Sequence, residues 1–258
     1  MQDDDSTEDK TIPTNLRLLL LLEELAKAGV PTTPTAANEV LGLPKPTIHR
    51  LFHTLENEGF LQRDIDGRSY APGARLRRLA GSVLSTSRIR MVRQTVLSTL
   101  AEDVGETCNI AMPERHTMVY LDRVETKWPL RIQLPVGTEV PFHCTASGKM
   151  YLSSLKSRLF NKYLSIATLD TQTEHTITDP DTLKAEVEAI RERGYSTDNE
   201  EFMKGMVAVA VPLLDAQNRL MSTLSIHAPT QRVTLDELKA HLPRLQAAAI
   251  DLAELVMH

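Results

Sequence analysis

The 258-residue sequence contains few cysteines, few aromatic residues and no long apolar run. Its two cysteines, Cys108 and Cys144, argue against a disulfide framework and suit a reducing compartment. Aromatic residues make up 4% of the chain, so Leu, Ile, Val and Ala must supply most of the core. The longest apolar runs, 18–22 and 206–211, are far shorter than the roughly 20 residues that cross a bilayer. Since the acidic N-terminus also lacks a secretion signal, we expect a cytoplasmic protein without a membrane partner.

Charge is distributed unevenly along the chain, whose overall net charge is -5. Residues 1–10 carry a net charge of -4, residues 11–90 carry +4, and the remainder carries -5. A modestly basic block within an acidic chain suits local phosphate binding, although such an excess is also common on solvated surfaces. Residues 1–12 are interpreted as a disordered acidic tail.

Three helices and a hairpin are predicted next along the chain. The first helix covers 15–28, with Thr14 as its N-cap and a glycine just past its end. The second lies within 33–42 and the third runs over 45–58, each closed by a glycine. The segment FLQRDIDGRSYAP then predicts two short strands around an Asp-Gly turn. This order of elements is typical of a winged helix-turn-helix.

The third predicted helix has the two faces that a recognition helix needs, one buried and one offered to base edges. Apolar residues recur at spacings of three, four and seven along one face. On the other face, Arg50 could bond guanine through two hydrogen bonds, and Thr47 could reach a phosphate or a thymine methyl group. Lys45 lies at the helix N-terminus, which also favours a phosphate. The alternative is an ordinary amphipathic helix whose outer face is solvated.

The predicted hairpin would form the wing, with a basic residue on each side of its turn. The short preceding helix, the tight turn and this basic hairpin together favour DNA binding over the alternative. The DNA-binding residues predicted from the helix and hairpin are Lys45, Pro46, Thr47, His49, Arg50, His53, Arg63 and Arg68.

The rest of the chain predicts a mixed domain, which gives the protein an α+β fold class. TCNIAM, TMVYLDRV and LRIQL alternate like strands of a half-buried sheet. MVAVAVPLL and LMSTLSIH are predicted strands on either side of the turn DAQNR. Helices are predicted at 146–164, in DPDTLKAEVEAIRERG and at 234–256, and a linker helix at 75–91 joins the two domains.

Three groupings in this domain imitate catalytic or metal sites. Ser147 and Lys149 resemble a nucleophile pair but lack an identifiable partner system. His143 and Cys144 are adjacent, and adjacent side chains rarely converge on one proton transfer or one metal ion. The acidic residues within 198–201 would form a cation site or, more simply, a solvated turn. We therefore expect a non-enzymatic protein with no catalytic residue, no metal site and no cofactor.

The segment GLPKPTIHRLFHTLENEGFLQRD resembles the recognition region of IclR-type regulators, where Leu-Pro-Lys-Ser-Thr-Val-His-Arg-Leu-Leu is usual. Pro46 replaces the serine of that pattern, which removes a hydroxyl and an N–H that could bind phosphate. Arg17 lies where the family places an arginine in its first helix, and the resemblance adds it to the DNA-binding set. TASGKMYL, TITDPDTL, IRERGYSTDNEE and VAVAVPLLD then follow in the family's order, so the resemblance covers nearly the whole chain.

The resemblance implies that the second domain is a ligand sensor, an antiparallel sheet with flanking helices and a concave pocket. Its effectors would be small carboxylates or aromatic catabolic compounds. A helix beginning at Ala146 and Ser147 would offer unpaired N–H groups to a carboxylate. His227 could pair with a charge, stack on a ring or be satisfied within the sheet. The effector-binding residues that the resemblance implies are Pro129, Ile132, Ala146, Ser147, Asp198, Ala208, Ser225 and His227.

These expectations combine into a winged helix-turn-helix domain (13–74), the linker helix (75–91) and an effector-binding domain (92–258). A homodimer would bind a palindromic operator on double-stranded DNA, and the resemblance implies that two dimers pair into a tetramer. An effector that prefers one spacing of the DNA-binding domains would change operator affinity. Repression is the commoner role in the family, although activators share its motifs.

Two other functions fit the same sequence. One is a constitutive DNA-binding protein whose second domain only forms oligomers, and ligands would then not change its melting temperature. The other is an enzyme or metabolite-binding module whose helix-turn-helix contacts proteins. A steep salt dependence of DNA binding would separate this module from a regulator, because phosphate neutralisation releases counterions.

Overall fold

The computed structural model describes residues 12–64, 66–84, 87–129 and 134–257. The predicted acidic tail, apart from its last residue, lies outside this part of the chain, and so do the first four residues of the predicted strand LRIQL. The chain forms two compact units, Met1–Thr86 and Ser87–His258. None of the described helices combines the length and apolar character needed to cross a membrane.

The first unit contains the predicted three helices and hairpin, followed by a fourth helix. Its elements are α1 (Arg17–Ala28), α2 (Pro34–Leu41), α3 (Lys45–Asn57), β1 (Leu61–Arg63), β2 (Tyr70–Pro72) and α4 (Ala74–Leu84). The strands β1 and β2 pair antiparallel, with Arg63 opposite Tyr70. The winged helix-turn-helix arrangement predicted from the sequence is therefore present.

Local side-chain chemistry sets the ends of these helices. The Thr33 hydroxyl accepts a hydrogen bond from the Ala36 N–H and caps α2, as predicted. The Asn38 side chain then bridges to both backbone groups of Leu43, at 2.8 and 2.9 Å, and this fixes the turn between α2 and α3. The predicted Thr14 cap of α1 is wrong. A turn closed by the Leu16 N–H delays the helix, so that Leu16 becomes the N-cap residue and forms no side-chain cap.

One apolar core holds the first unit together. Leu21 and Leu25 of α1 pack with Phe52 of α3 in this core, and all three side chains are almost fully buried. The Phe52 and Tyr70 rings meet edge to face at 4.9 Å, which connects the hairpin to α3. The helix α3 therefore has a fixed orientation, with its outer face presented to solvent.

The second unit is a six-stranded sheet with helices on both faces. Its strands are β3 (Thr107–Glu114), β4 (Thr117–Val124), β5 (Glu139–Pro141), β6 (Ser196–Asn199), β7 (Met206–Leu214) and β8 (Leu220–Pro229). They are ordered β5-β4-β3-β8-β7-β6, and all neighbours are antiparallel. The helices are α5 (Ser87–Val104), α6 (Ala146–Ser154), α7 (Ser157–Ile166), α8 (Pro180–Arg193), α9 (Leu235–Lys239) and α10 (Leu242–Met257).

Alternation along β7 separates the two faces of the sheet. Val207, Val209 and Val211 pack in a core with residues of α5, α9 and α10. Ala208 and Ala210 face the other side and pack with residues of α6 and α8. Because these two side chains are small, α6 lies close to the sheet.

Three segments differ from their sequence predictions. The helix predicted over 146–164 is two helices, because the backbone is extended at Leu155 and Lys156. The closing helix predicted over 234–256 is likewise divided into α9 and α10. The short strands β5 and β6 were not predicted, since three or four residues carry little alternation. The predicted linker helix overlaps α4 and the start of α5.

Candidate functional sites

The outer face of α3 carries five of the predicted DNA-binding residues in exposed positions. Within the described residues, the side chains of Lys45, His49 and Arg50 form no hydrogen bond or ion pair, and they remain available to an external partner. Thr47 is half-buried, while the His53 ring contacts the Asn57 amide at 3.2 Å. The exposed predicted residues of this helix are Lys45, Pro46, His49, Arg50 and His53.

Two other predicted DNA-binding arginines bond within the first unit. The Arg63 guanidinium donates to both carboxylate oxygens of Glu56, at 2.7 and 3.1 Å, and to the Gly67 carbonyl at 3.1 Å. This contact lowers the pKa of the Glu56 carboxyl below its usual value. Arg17 donates to the Ile12 carbonyl at 3.0 Å. Arg68 is exposed in the hairpin loop, where Asp66 accepts hydrogen bonds from the backbone and fixes the turn.

Two rows of residues cross the sheet of the second unit on the face that carries α6. Strand register places the members of each row side by side. The first row consists of Asp198, Ala208, His227 and Thr107. The second row consists of Ser196, Ala210, Ser225, Asn109 and Arg123. Four of the predicted effector-binding residues therefore share one face, although they come from three strands.

The start of α6 lies against these rows. The Thr145 hydroxyl caps the helix by accepting from the Gly148 N–H at 3.0 Å, while the N–H groups of Ala146 and Ser147 have no acceptor within the helix. The Ser147 hydroxyl is 3.5 Å from the Ser225 hydroxyl. The structure thus brings the predicted residues of α6 to the predicted residues of the sheet.

Several polar atoms in this region are buried without a hydrogen-bond partner in the described part of the protein. They are Asn109 Nδ2, Asp198 Oδ2, Glu201 Oε2 and His227 Nδ1. Each such atom costs about 1–3 kcal/mol if nothing satisfies it. Asn109 and His227 lie on the neighbouring strands β3 and β8, while Asp198 is on β6 and Glu201 follows the end of β6.

Burial shifts the titration of all three ionisable residues in this group, and it raises the pKa of the Glu201 carboxyl above its usual value. It raises the pKa of Asp198 to about 7, and the nearby Glu201 carboxylate adds to the shift. Burial also lowers the pKa of His227 to about 3, with a further contribution from the positive charge of Arg123. At neutral pH the His227 ring is therefore uncharged, while Asp198 lies near the midpoint of its titration.

The two groupings that imitate catalytic pairs have other bonding partners. The Lys149 ammonium is buried in an ion pair with Glu201, which accounts for it without a role for Ser147 as nucleophile. His143 Nε2 contacts the Asp170 carbonyl at 3.0 Å. Burial raises the pKa of the Cys144 thiol to about 12, so this cysteine is protonated.

Two of the predicted effector-binding residues are not added to the site. Pro129 is exposed, which does not support the effector-binding role that the resemblance implied, and Ile132 lies outside the described residues. Sequence reasoning missed Asn109, Thr107 and Arg123, which enter the rows only through the pairing of β3 with β4 and β8. The polar residues at alternate positions in TCNIAM were the local signal for Thr107 and Asn109.

The two units together define a class of protein. A winged helix-turn-helix with unpaired basic residues on α3, followed by a unit with a buried polar site, has the parts of a ligand-responsive DNA-binding regulator. The family model "IclR helix-turn-helix domain" matches residues 16–64, and the model "Bacterial transcriptional regulator IclR C-terminal" matches residues 81–254. The chain belongs to the IclR family of bacterial transcriptional regulators, whose members bind DNA and are not enzymes.

Similar proteins cover most of the chain. The probable transcriptional regulator SauR of Cupriavidus necator is 37% identical over 239 residues, which is 93% of this chain and 95% of that protein. The acetate operon repressor of Salmonella typhimurium is 31% identical and matches 86% of this chain and 82% of its own length. A solved structure of the PobR inducer-binding domain from Acinetobacter, a double mutant with 3-hydroxybenzoic acid, is 29% identical with a TM-score of 0.59. It covers 63% of this chain and 96% of the PobR chain.

Proposed function

We propose that this regulator is a repressor whose affinity for its operator is controlled by a small organic acid bound between α6 and the sheet. The group of buried, unpartnered polar atoms beside the start of α6 is the observation that carries the proposal. The helix N-terminus adds N–H groups and a partial positive charge that favour a carboxylate. The PobR complex with 3-hydroxybenzoic acid and the name of the acetate operon repressor support this effector class and this sign of regulation.

On the DNA side, α3 would read the major groove and the hairpin would contact the backbone. Arg50 would contact a base, while Lys45 and Arg68 would contact phosphates. Arg63 would act mainly by holding the hairpin against α3, because its guanidinium already bonds Glu56.

The proposed assembly is a homodimer on a palindromic operator, with dimers pairing through their effector domains. Exposed apolar side chains on α1 and α4 support a contact between two copies, since a surface helix seldom leaves several of them in water. They are Leu16, the N-cap residue of α1, Leu19 on α1, and Leu79 and Val83 on α4. A DNA-binding role places the protein in the cytoplasm, where it would control catabolic or transport genes.

Effector binding would shift the population between two spacings of the DNA-binding units. A ligand can do this only by the difference in its affinity for the two states, so tight binding alone changes nothing. The proposed effector therefore stabilises the protein in solution and weakens its operator complex.

This proposal is tested by measuring DNA binding through fluorescence anisotropy, with DNA taken from upstream of the gene that encodes this protein. We expect specific binding that falls steeply with salt and is weakened by 3-hydroxybenzoate or a related acid. Ser147→Trp should abolish the response to the acid while leaving DNA affinity unchanged. Specific DNA binding that no acid alters, in a protein whose melting temperature no acid raises, would instead identify a constitutive DNA-binding oligomer.

A further inference from the structure

We propose that Asn109 binds the acid group of the effector and that Arg123 positions Asn109 for this contact. The inference rests on the proposed function and deepens it, because it assigns the anion-recognising residues of the same site. The sequence motifs place the effector at α6, Asp198 and Ser225, whereas Asn109 and Arg123 enter through strand register alone.

Asn109 lies in the second row, directly opposite Ser225 of β8 and Arg123 of β4. Its side chain is fully buried, and the Oδ1 atom accepts a hydrogen bond from Arg123 Nη1 at 2.8 Å. This contact identifies Oδ1 and Nδ2, because only the oxygen of the amide can accept from a guanidinium. The Nδ2 group is therefore a donor of fixed orientation, and it has no acceptor among the described residues.

Arg123 places a positive charge next to the Asn109 amide. Its side chain is 4% exposed and forms an ion pair at 3.3 Å with Glu125, whose side chain is 34% exposed. The Arg123 side chain is buried, whereas the Glu125 side chain reaches solvent. The positive charge of Arg123 therefore still acts on the buried residues around it. After burial, which is the larger cause in both cases, the charge of Arg123 acts to lower the pKa of His227 and of Tyr120.

His227 supplies a second donor beside Asn109. Its Nε2 atom lies 3.0 Å from the Ser225 hydroxyl, which in turn accepts from the Ser147 hydroxyl at 3.5 Å. The Ser225 proton is then free to point to Nε2. A neutral ring that accepts at Nε2 carries its proton on Nδ1, the atom without a described partner.

Two buried donors and one cation select an oxyanion, and the effector chemistry we assign is a carboxylate. The opposite end of the site would repel that group, because Asp198 and Glu201 each leave a carboxyl oxygen unpartnered there. Asp198 and Asn109 are separated by three strand spacings, about 14 Å at ~4.8 Å per strand. The carboxylate therefore binds at the Asn109 end, and a hydroxyl or other donor on the effector faces Asp198.

The test compares acids with their neutral amides, using calorimetric titration of the full-length protein. The probes are 3-hydroxybenzoate against 3-hydroxybenzamide and glycolate against glycolamide. Wild-type protein should bind at least one acid about tenfold more tightly than its amide. Asn109→Asp, which keeps the shape of the side chain, should lower affinity for the acid about tenfold or more and leave the amide within about twofold. Asn161→Asp on the exposed surface of α7 makes the same charge change and should alter neither.

Arg123→Gln and Arg123→Lys test the positioning role. The glutamine variant should lose the preference for acid over amide, while the lysine variant should recover part of it, a result that a purely structural role does not give. Circular dichroism confirms the fold of each variant. Unchanged acid affinity in a folded Asn109→Asp protein overturns this inference and leaves the proposed function standing. If the wild-type protein binds only amides or neither member of each pair, both the inference and the proposed organic-acid effector are wrong.

Discussion

Arg63 and Glu56 form a two-point ion pair that ties the hairpin of the first unit to α3, with nitrogen–oxygen distances of 2.7 and 3.1 Å. The same guanidinium lies 5.0 Å from the centre of the Tyr70 ring, and Tyr70 in turn packs on Phe52. A basic residue predicted from the sequence to bind DNA therefore also determines where the hairpin sits relative to the helix.

We expect Glu56→Gln to lower the urea midpoint of unfolding at neutral pH. The pKa of Glu56 is lower in the folded protein than in the unfolded chain, so its contribution is present above the unfolded pKa and lost as pH falls through the folded one. The difference between variant and wild type should therefore shrink steadily as pH falls below the usual pKa of a glutamate, because the wild-type side chain loses its charge. A difference that is as large at acid pH as at neutral pH would mean that the ion pair does not stabilise the unit.

Arg50→Ala should weaken binding to the operator and also reduce discrimination against altered operators. Loss of a two-point contact to a base costs about 1–3 kcal/mol, which is about fivefold to 150-fold in affinity. Lys45→Ala offers a matched comparison on the same helix. Because Lys45 is assigned to a phosphate, this substitution should weaken binding to all DNA sequences alike. It should also reduce the slope of log affinity against log salt concentration by about 1. Competition assays with single-base operator variants measure both effects, and equal behaviour of the two variants would contradict the assigned roles.

Gly148→Ala should destabilise the second unit because α6 approaches the preceding chain closely at that residue. An added Cβ would lie less than 3.0 Å from backbone atoms of Phe142, so either the helix or the strand end must shift. Overpacking of this kind costs about 1–3 kcal/mol.

Gly81→Ala in α4 is the matched control for that substitution. The added methyl group there meets nothing within 4 Å, and we expect a gain of about 0.5–1 kcal/mol from helix propensity. Thermal unfolding of the two variants should move in opposite directions. If Gly148→Ala unfolds at the wild-type temperature, the start of α6 does not pack as closely against the Phe142 backbone as described.

Local chemistry explains which parts of the structure could be predicted from sequence. Thr33, Gly42, Asp179 and Gly194 give the cap signals that define the ends of α2 and α8, and apolar runs on either side of the DAQNR turn identify β7 and β8. The break between α6 and α7 falls at Leu155 and Lys156, where no glycine or proline marks the end of a helix in the sequence.

The composition of the candidate site was harder to predict than the fold. Motifs indicated Asp198, Ser225 and His227, and the structure places them on one face. Asn109 joins Ser225 only because β3 pairs with β8, a contact between residues more than a hundred positions apart. Periodicity predicts that a strand exists, but it carries no information on which distant strand becomes its neighbour.

The titration of Asp198 gives the second unit a stability that depends on pH near neutrality. Burial and the Glu201 carboxylate raise its pKa to about 7, well above the value of a carboxyl in the unfolded chain. Between about pH 4 and 7 the folded protein therefore binds the proton that the unfolded chain releases. Stability falls as pH rises through this window, because the charged form must be accommodated in a buried site.

Asp198→Asn should remove this dependence, since the amide is uncharged at every pH and has nearly the same shape. Melting temperatures measured from about pH 6.5 to 8 should fall for the wild-type protein and change less for the variant. His227 does not disturb the comparison at the upper end of the window, because its ring is neutral in the folded protein and, above its usual pKa, in the unfolded chain as well. A steeper or unchanged slope in Asp198→Asn would show that another group titrates in this range and that Asp198 is already ionised in the folded protein.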